Sequence, residues 1–151
     1  MDVGFFKFGA ERVTNNETPQ FSQSERIWCN PGLRPLSKLN NTASSPIGAY
    51  RWERTDKALT EQLLLEDEGK MVTIELRYAA LRYVNPMTGG DVMPTIRCEF
   101  HRLRAGTQSS VWQEVGSSVF QVFEGNGTIA LAGEMHKLER GDIFVVPSWV
   151  P

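Results

Sequence analysis

The sequence predicts an all-β fold of barrel or sandwich type, preceded by a loop-rich arm and one short helix. Three observations carry this prediction. After Met71, eight short strand-like runs follow one another, VTIELRY, ALRYV, MPTIRCEFHRL, SSVWQEV, SVFQVFE, TIALA, EMHKL and IFVVP. Gly-rich or polar turns such as NPMTGGD, RAG, GNG, AGE and RGD separate them. Before Met71, turn formers dominate and only one segment carries a helical period.

The arm comes first. TNNETPQ and CNPGLRPLSKLNNTASSP hold no sustained apolar period, yet Phe5, Phe6, Phe8, Phe21, Ile27, Trp28, Tyr50 and Trp52 make the stretch too aromatic for a disordered linker. These side chains call for a surface to cover. The helix is expected over about 56–68, with Leu59 and Leu63 four apart, Thr55 or Asp56 as N-cap and Gly69 as the stop. Within the strands, SVFQVFE places Phe120 and Val122 on one face and Val119 and Phe123 on the other, the pattern of a strand covered on both sides. FVVPSWVP ends the sequence on an apolar strand with no partner to follow it, so the chain reads as a piece of a longer protein with an unfinished barrel.

Composition limits the partners and the chemistry. Sixteen Lys and Arg against eighteen Asp and Glu give a net charge of −2, so no global field favours nucleic acid or an anionic membrane. No run approaches the roughly 20 apolar residues of a membrane span, and the opening MDVGFFKFGAERV lacks the charge and apolar core of a signal peptide. A cytoplasmic protein is expected. Cys29 and Cys98 are too few for a disulfide scaffold or a cysteine metal cage. With His101 and His136 as the sole histidines, the chain cannot supply three imidazoles to one metal.

Gly106, Trp112, Glu114, Ser118 and Gly125 fall at the spacing G-x5-W-x-E-x3-S-x6-G. This resembles the first motif of the cupins, G-x5-H-x-H-x3-E-x6-G, in which ligands at i and i+2 of one strand share a barrel face and a third joins them around a metal. Trp112, Glu114 and Ser118 occupy the three ligand positions, as degenerate residues lining the pocket. Gly141 and Pro147 in GDIFVVPSWVP echo the second motif, G-x5-P-x-G-x2-H-x3-N, with Trp149 at its glycine. Indole cannot ligate and one carboxylate does not hold a divalent transition ion, so no metal is expected in this barrel.

Longer stretches, FFKFGAERV, NPGLRPL, SPIGAYRWERTDKALTEQLLLEDEG, RYVNPMTGGDVMPTIRCEFHRLRAG and VGSSVFQVFEGNG, resemble the C-terminal half of the gentisate 1,2-dioxygenases. The resemblance implies a double-stranded β-helix, or jelly-roll, cupin over 71–151, truncated at its end, and an inter-cupin linker arm over 1–70. It also implies a non-haem Fe(II) enzyme of aromatic catabolism whose metal sits on an N-terminal cupin of the same polypeptide, outside this chain. The expected partners are that cupin, further copies in a homo-oligomer, and an aromatic acid: gentisate, salicylate or hydroxynaphthoate. No catalytic residue carries over.

The remaining candidates read as structural. His101 and His136 lie on charged strands, Arg97 and Arg102 point to opposite faces, Arg140–Asp142 is turn chemistry, and Cys29 has no base beside it in sequence. The competing reading is a metal-free cupin that binds a small aromatic acid, with Trp112, Glu114 and Ser118 lining the pocket.

Overall fold

The computed structural model describes residues 20–151, so Phe5, Phe6, Phe8 and the FFKFGAERV stretch lie outside the described residues. A helix that the sequence reading missed, α1 (Gln23–Trp28), opens them. Ser22 caps it: Glu25 N–H donates to Ser22 Oγ at 3.2 Å, and Ser22 N–H donates to Glu25 Oε2 at 3.0 Å, a reciprocal capping box. The second helix, α2 (Trp52–Asp67), starts four residues earlier than expected. Its N-cap is Arg51, not Thr55 or Asp56, and Arg51 makes no side-chain cap. Gly69, at φ 84°, closes the helix in the left-handed conformation that glycine adopts without steric cost.

Arg51 instead ties the two helices together. Its guanidinium donates to both Glu25 carboxylate oxygens, at 2.5 and 3.1 Å, and to the Gln20 carbonyl at 2.6 Å. The rest of the arm is laid over the loop after β1 by polar contacts. Arg34 donates to the Met87 carbonyl at 3.0 Å, fully buried Asn85 donates to the Thr42 carbonyl at 2.9 Å, and the Tyr50 hydroxyl donates to the Val84 carbonyl at 2.8 Å. The arm is ordered by such bonds more than by apolar burial, since Leu33, Leu36 and Leu39 stay exposed.

Six strands follow, in three antiparallel pairs. β1 (Tyr78–Arg82) pairs with β2 (Glu99–Leu103) in the register Ala79↔Arg102, Ala80↔His101, Leu81↔Phe100. Strand alternation then divides the ladder. Ala79, Leu81, Phe100 and Arg102 face α2, where Leu59, Leu63 and Ala79 form the buried core with Leu81 and Phe100 against it. Arg102 donates to Asp56 at 2.7 Å and Arg104 to Asp67 at 2.5 Å, pinning α2 along its length. Tyr78, Ala80, Arg82, Glu99 and His101 take the opposite face.

β3 (Ser118–Gln121) pairs with β6 (Ile143–Val146), and β4 (Asn126–Leu131) pairs with β5 (Glu134–Glu139). The β4–β5 hairpin turns on Ala132 and Gly133, both at positive φ (52° and 85°), as a two-residue turn matched to strand twist requires. Trp52, Phe100 and Phe123 cluster with tilted and edge-on rings where α2 meets the end of β3, with Trp52 4.5 Å from Phe123 and 5.2 Å from Phe100. Phe120 and Phe144 stack at 5.1 Å on the inner face of β3–β6.

Two expectations are corrected. VTIELRY is not a strand: Arg77 sits at φ 65°, and Tyr78 N–H donates back to the Glu75 carbonyl at 3.0 Å, a turn that breaks the extended run. SSVWQEV is not one either, because side chains take backbone donors within and beside it: Ser110 N–H goes to Glu75 Oε2 at 2.7 Å and Gly116 N–H to Ser148 Oγ at 3.1 Å. SVFQVFE leaves one of its two apolar faces uncovered within the described residues. Val119 is 71% exposed, and Ile143 and Val145 beside it are exposed as well. The described strands do not close into one ring.

Candidate functional site

One face of β1–β2, together with Ile74, Glu75 and Trp112, lines an open cavity of about 410 Å³. Its polar centre is a chain of three side chains. The Tyr78 hydroxyl lies 2.8 Å from His101 Nδ1, and His101 Nε2 lies 3.1 Å from Glu99 Oε2. A carboxylate can only accept, so Nε2 carries the proton. In the neutral ring Nδ1 then accepts, and the Tyr78 hydroxyl is the donor. The chain runs Tyr78 to His101 to Glu99.

Burial of Tyr78, and after it the negative charges of Glu75 and Glu99, push its phenol up to about 12. Tyr78 therefore stays neutral and keeps its donor across the physiological range. Aromatic rings hold the imidazole: Tyr78 at 5.7 Å, Phe120 at 6.2 Å and Trp112 at 6.4 Å between centroids, Trp112 stacked at 30°. At the rim, the Asp91 carboxylate is 3.7 Å from Arg82 and 3.4 Å from Arg97.

Of the residues singled out from sequence, Trp112 and His101 line this cavity. Glu114 and Ser118 do not. They meet each other, with Ser118 Oγ donating to Glu114 Oε1 at 2.7 Å, while Trp149 N–H donates to the Glu114 carbonyl at 3.0 Å. Gln113 donates to the Trp149 carbonyl, so the two cupin-like motifs are stitched together by hydrogen bonds. The donor chemistry does not fit a metal: the carboxylate is engaged by a hydroxyl and its neighbour at i−2 is an indole. Among the described residues, no three His, Cys, Asp or Glu side chains are grouped to hold a metal ion.

The other candidates are dispersed. Arg97, Arg102 and Arg104 pair with different acids, Asp91, Asp56 and Asp67, and form no common anion clamp. His136 stands half exposed on β5, 4.0 Å from Glu134. Cys29 and Cys98 are free thiols. In the 140–142 turn, Asp142 accepts from Glu139 N–H at 2.8 Å. Sequence reasoning missed Tyr78, Glu99 and the inward aim of His101. The i, i+2 spacing of Glu99 and His101 was the signal that they share a face.

Comparison with known proteins places the chain among its relatives. No family model matches the chain. It is 46% identical to a gentisate 1,2-dioxygenase of a Streptomyces species over 149 residues, which are 99% of this chain and 41% of that protein. It is 37% identical to a 1-hydroxy-2-naphthoate 1,2-dioxygenase of Nocardioides sp. strain KP7 over 117 residues, 78% of this chain and 28% of that protein. Among solved structures, a salicylate 1,2-dioxygenase from Pseudoaminobacter salicylatoxidans with gentisate superimposes with a TM-score of 0.91 at 70% identity, covering 99% of this chain and 41% of that one. The chain thus spans about two fifths of the length of these two relatives. Among the described residues, no helix is long and apolar enough to cross a membrane. Along 99% of its length the chain is homologous to the gentisate and salicylate 1,2-dioxygenases, and its fold is that of the cupins.

Proposed function

We propose that the chain is the linker arm (1–70) and second, metal-free cupin (71–151) of a gentisate 1,2-dioxygenase-like enzyme, a cytoplasmic homo-oligomer in which an N-terminal cupin holds the non-haem Fe(II). The whole enzyme opens the ring of gentisate with O2, between the carboxyl-bearing and the adjacent hydroxyl-bearing carbon, to give maleylpyruvate. The observation that carries this reading is identity to such dioxygenases along 99% of the chain, 46% and 70% for two of them. The donor set supports its second half, because Trp112 and the Ser118-bonded Glu114 offer no place for the iron.

The role of this chain is then structural. The outer face of β3–β6, with Val119, Ile143 and Val145 exposed, is an apolar surface suited to burial against the N-terminal cupin. The test is oxygen uptake. The full-length polypeptide should consume O2 with gentisate in an Fe(II)-dependent manner, and residues 1–151 alone should consume none. Uptake by residues 1–151, after free iron is controlled for, or its absence from the full-length protein supplied with Fe(II), refutes the proposal. Salicylate and 1-hydroxy-2-naphthoate are the comparison substrates.

A further inference from the structure

The cavity on β1–β2 has walls of two kinds. One is aromatic, with the indole of Trp112 stacked over His101 and the ring of Tyr78 beside it. The other is acidic, because the carboxylates of Glu75 and Glu99 both line the space. Their protein partners do not exhaust them: Glu75 accepts from Ser110 N–H, and Glu99 accepts from His101 Nε2 with the Arg97 guanidinium 3.8 Å from its other oxygen, whereas a carboxylate has about four acceptor sites. The two cations at the rim, Arg82 and Arg97, share the Asp91 carboxylate. At the Tyr78 hydroxyl the negative charges prevail, which is why Glu75 and Glu99 raise its pKa further. Trp112 remains 47% exposed, so its indole is open to a ligand.

We propose that this cavity binds an organic ammonium ion carrying an apolar or aromatic body. The cation sits over the Trp112 face, where the ring quadrupole attracts it, and within reach of the Glu99 carboxylate. The apolar body lies against Ile74 and Ala80. A volume of about 410 Å³ suits a small molecule. An aromatic carboxylate, the ligand that the sequence suggested for a binding module, would face two like charges here. The inference goes beyond the dioxygenase reading and needs no iron.

The test uses the full-length polypeptide carrying this chain, with metal removed by chelation, and calorimetric titration with benzyltrimethylammonium. Binding should weaken about tenfold in Glu99→Gln, which keeps an acceptor for His101 Nε2 but loses the charge. Trp112→Ala should weaken it by a similar factor without opening the core, and Glu134→Gln, a charge removed from exposed β5, should leave it unchanged. Absence of binding, binding that neither cavity substitution lowers, or an equal loss in Glu134→Gln overturns the proposal. So does benzoate binding that Trp112→Ala abolishes.

Discussion

The Tyr78 hydroxyl donates to His101 Nδ1 at 2.8 Å, across a diagonal of the β1–β2 ladder in which Tyr78 stands opposite Leu103 and His101 opposite Ala80. A diagonal of this kind is within reach of an aromatic side chain on one sheet face. It fixes the imidazole tautomer and leaves Nε2–H for Glu99. Tyr78→Phe should therefore destabilise the fold by about 1 kcal/mol through the lost hydrogen bond in denaturant unfolding. No change would mean that the bond contributes nothing.

The same phenol gives a pH prediction. Its folded pKa is raised from 10.0 to about 12, so the stability it contributes is complete below pH 10 and is lost as the pH rises towards 12. Ultraviolet titration at the tyrosinate band should show a component near pH 12 that Tyr78→Phe removes. A difference spectrum titrating near 10 instead would contradict the burial argument.

Glu25 behaves in the opposite sense. The Arg51 side chain, with the capping bonds of Ser22, holds its carboxyl down to about 2 from an ordinary 4.5. The pairing stabilises the fold above about pH 4.5, and the contribution is lost as the pH falls through about 2. Glu25→Gln should lower stability at neutral pH, with the gap from wild type closing on acidification below 4.5. Thermal unfolding followed against pH measures it, and a gap that does not depend on pH would remove the ion pair as the cause.

Leu59 is fully buried between α2 and β1, while Leu64 on the same helix is 48% exposed. Leu59→Ala should cost about 2–5 kcal/mol in chemical denaturation, from lost transfer energy and the cavity left behind. Leu64→Ala should cost well under half of that. Similar costs at both positions would mean that the core lies elsewhere.

What the sequence showed of this fold follows the range of the forces involved. The helix core at Leu59 and Leu63, its stop at Gly69 and the tight turn before Glu134 are local patterns, and each was legible. α1 was not, because a six-residue helix has almost no period; its signal was the Ser22-x-x-Glu25 box. Residues 72–78 and 109–115 have strand-forming side chains, but whether they pair depends on partners distant in sequence. The site divided in the same way. Motif spacing singles out Trp112, whereas Tyr78 reaches His101 through a register that no local pattern specifies.

The β4–β5 hairpin supplies the last test. Its turn places Ala132 at φ 52°, a left-handed conformation that costs a residue with a Cβ roughly 1 kcal/mol, followed by Gly133 at φ 85°. Such turns favour Asn-Gly, because asparagine tolerates positive φ and can bond its own backbone. Ala132→Asn should therefore stabilise the hairpin by about 0.5–1 kcal/mol. The Ala132 N–H bond to the Pro151 carbonyl, at 3.2 Å, involves only backbone and is retained. The hairpin is largely exposed and can open locally, so the gain should appear first as slower amide exchange in Asn126–Leu131 and Glu134–Glu139, ahead of any shift in global unfolding. Faster exchange in these strands would show that the left-handed strain at Ala132 is not what limits the turn.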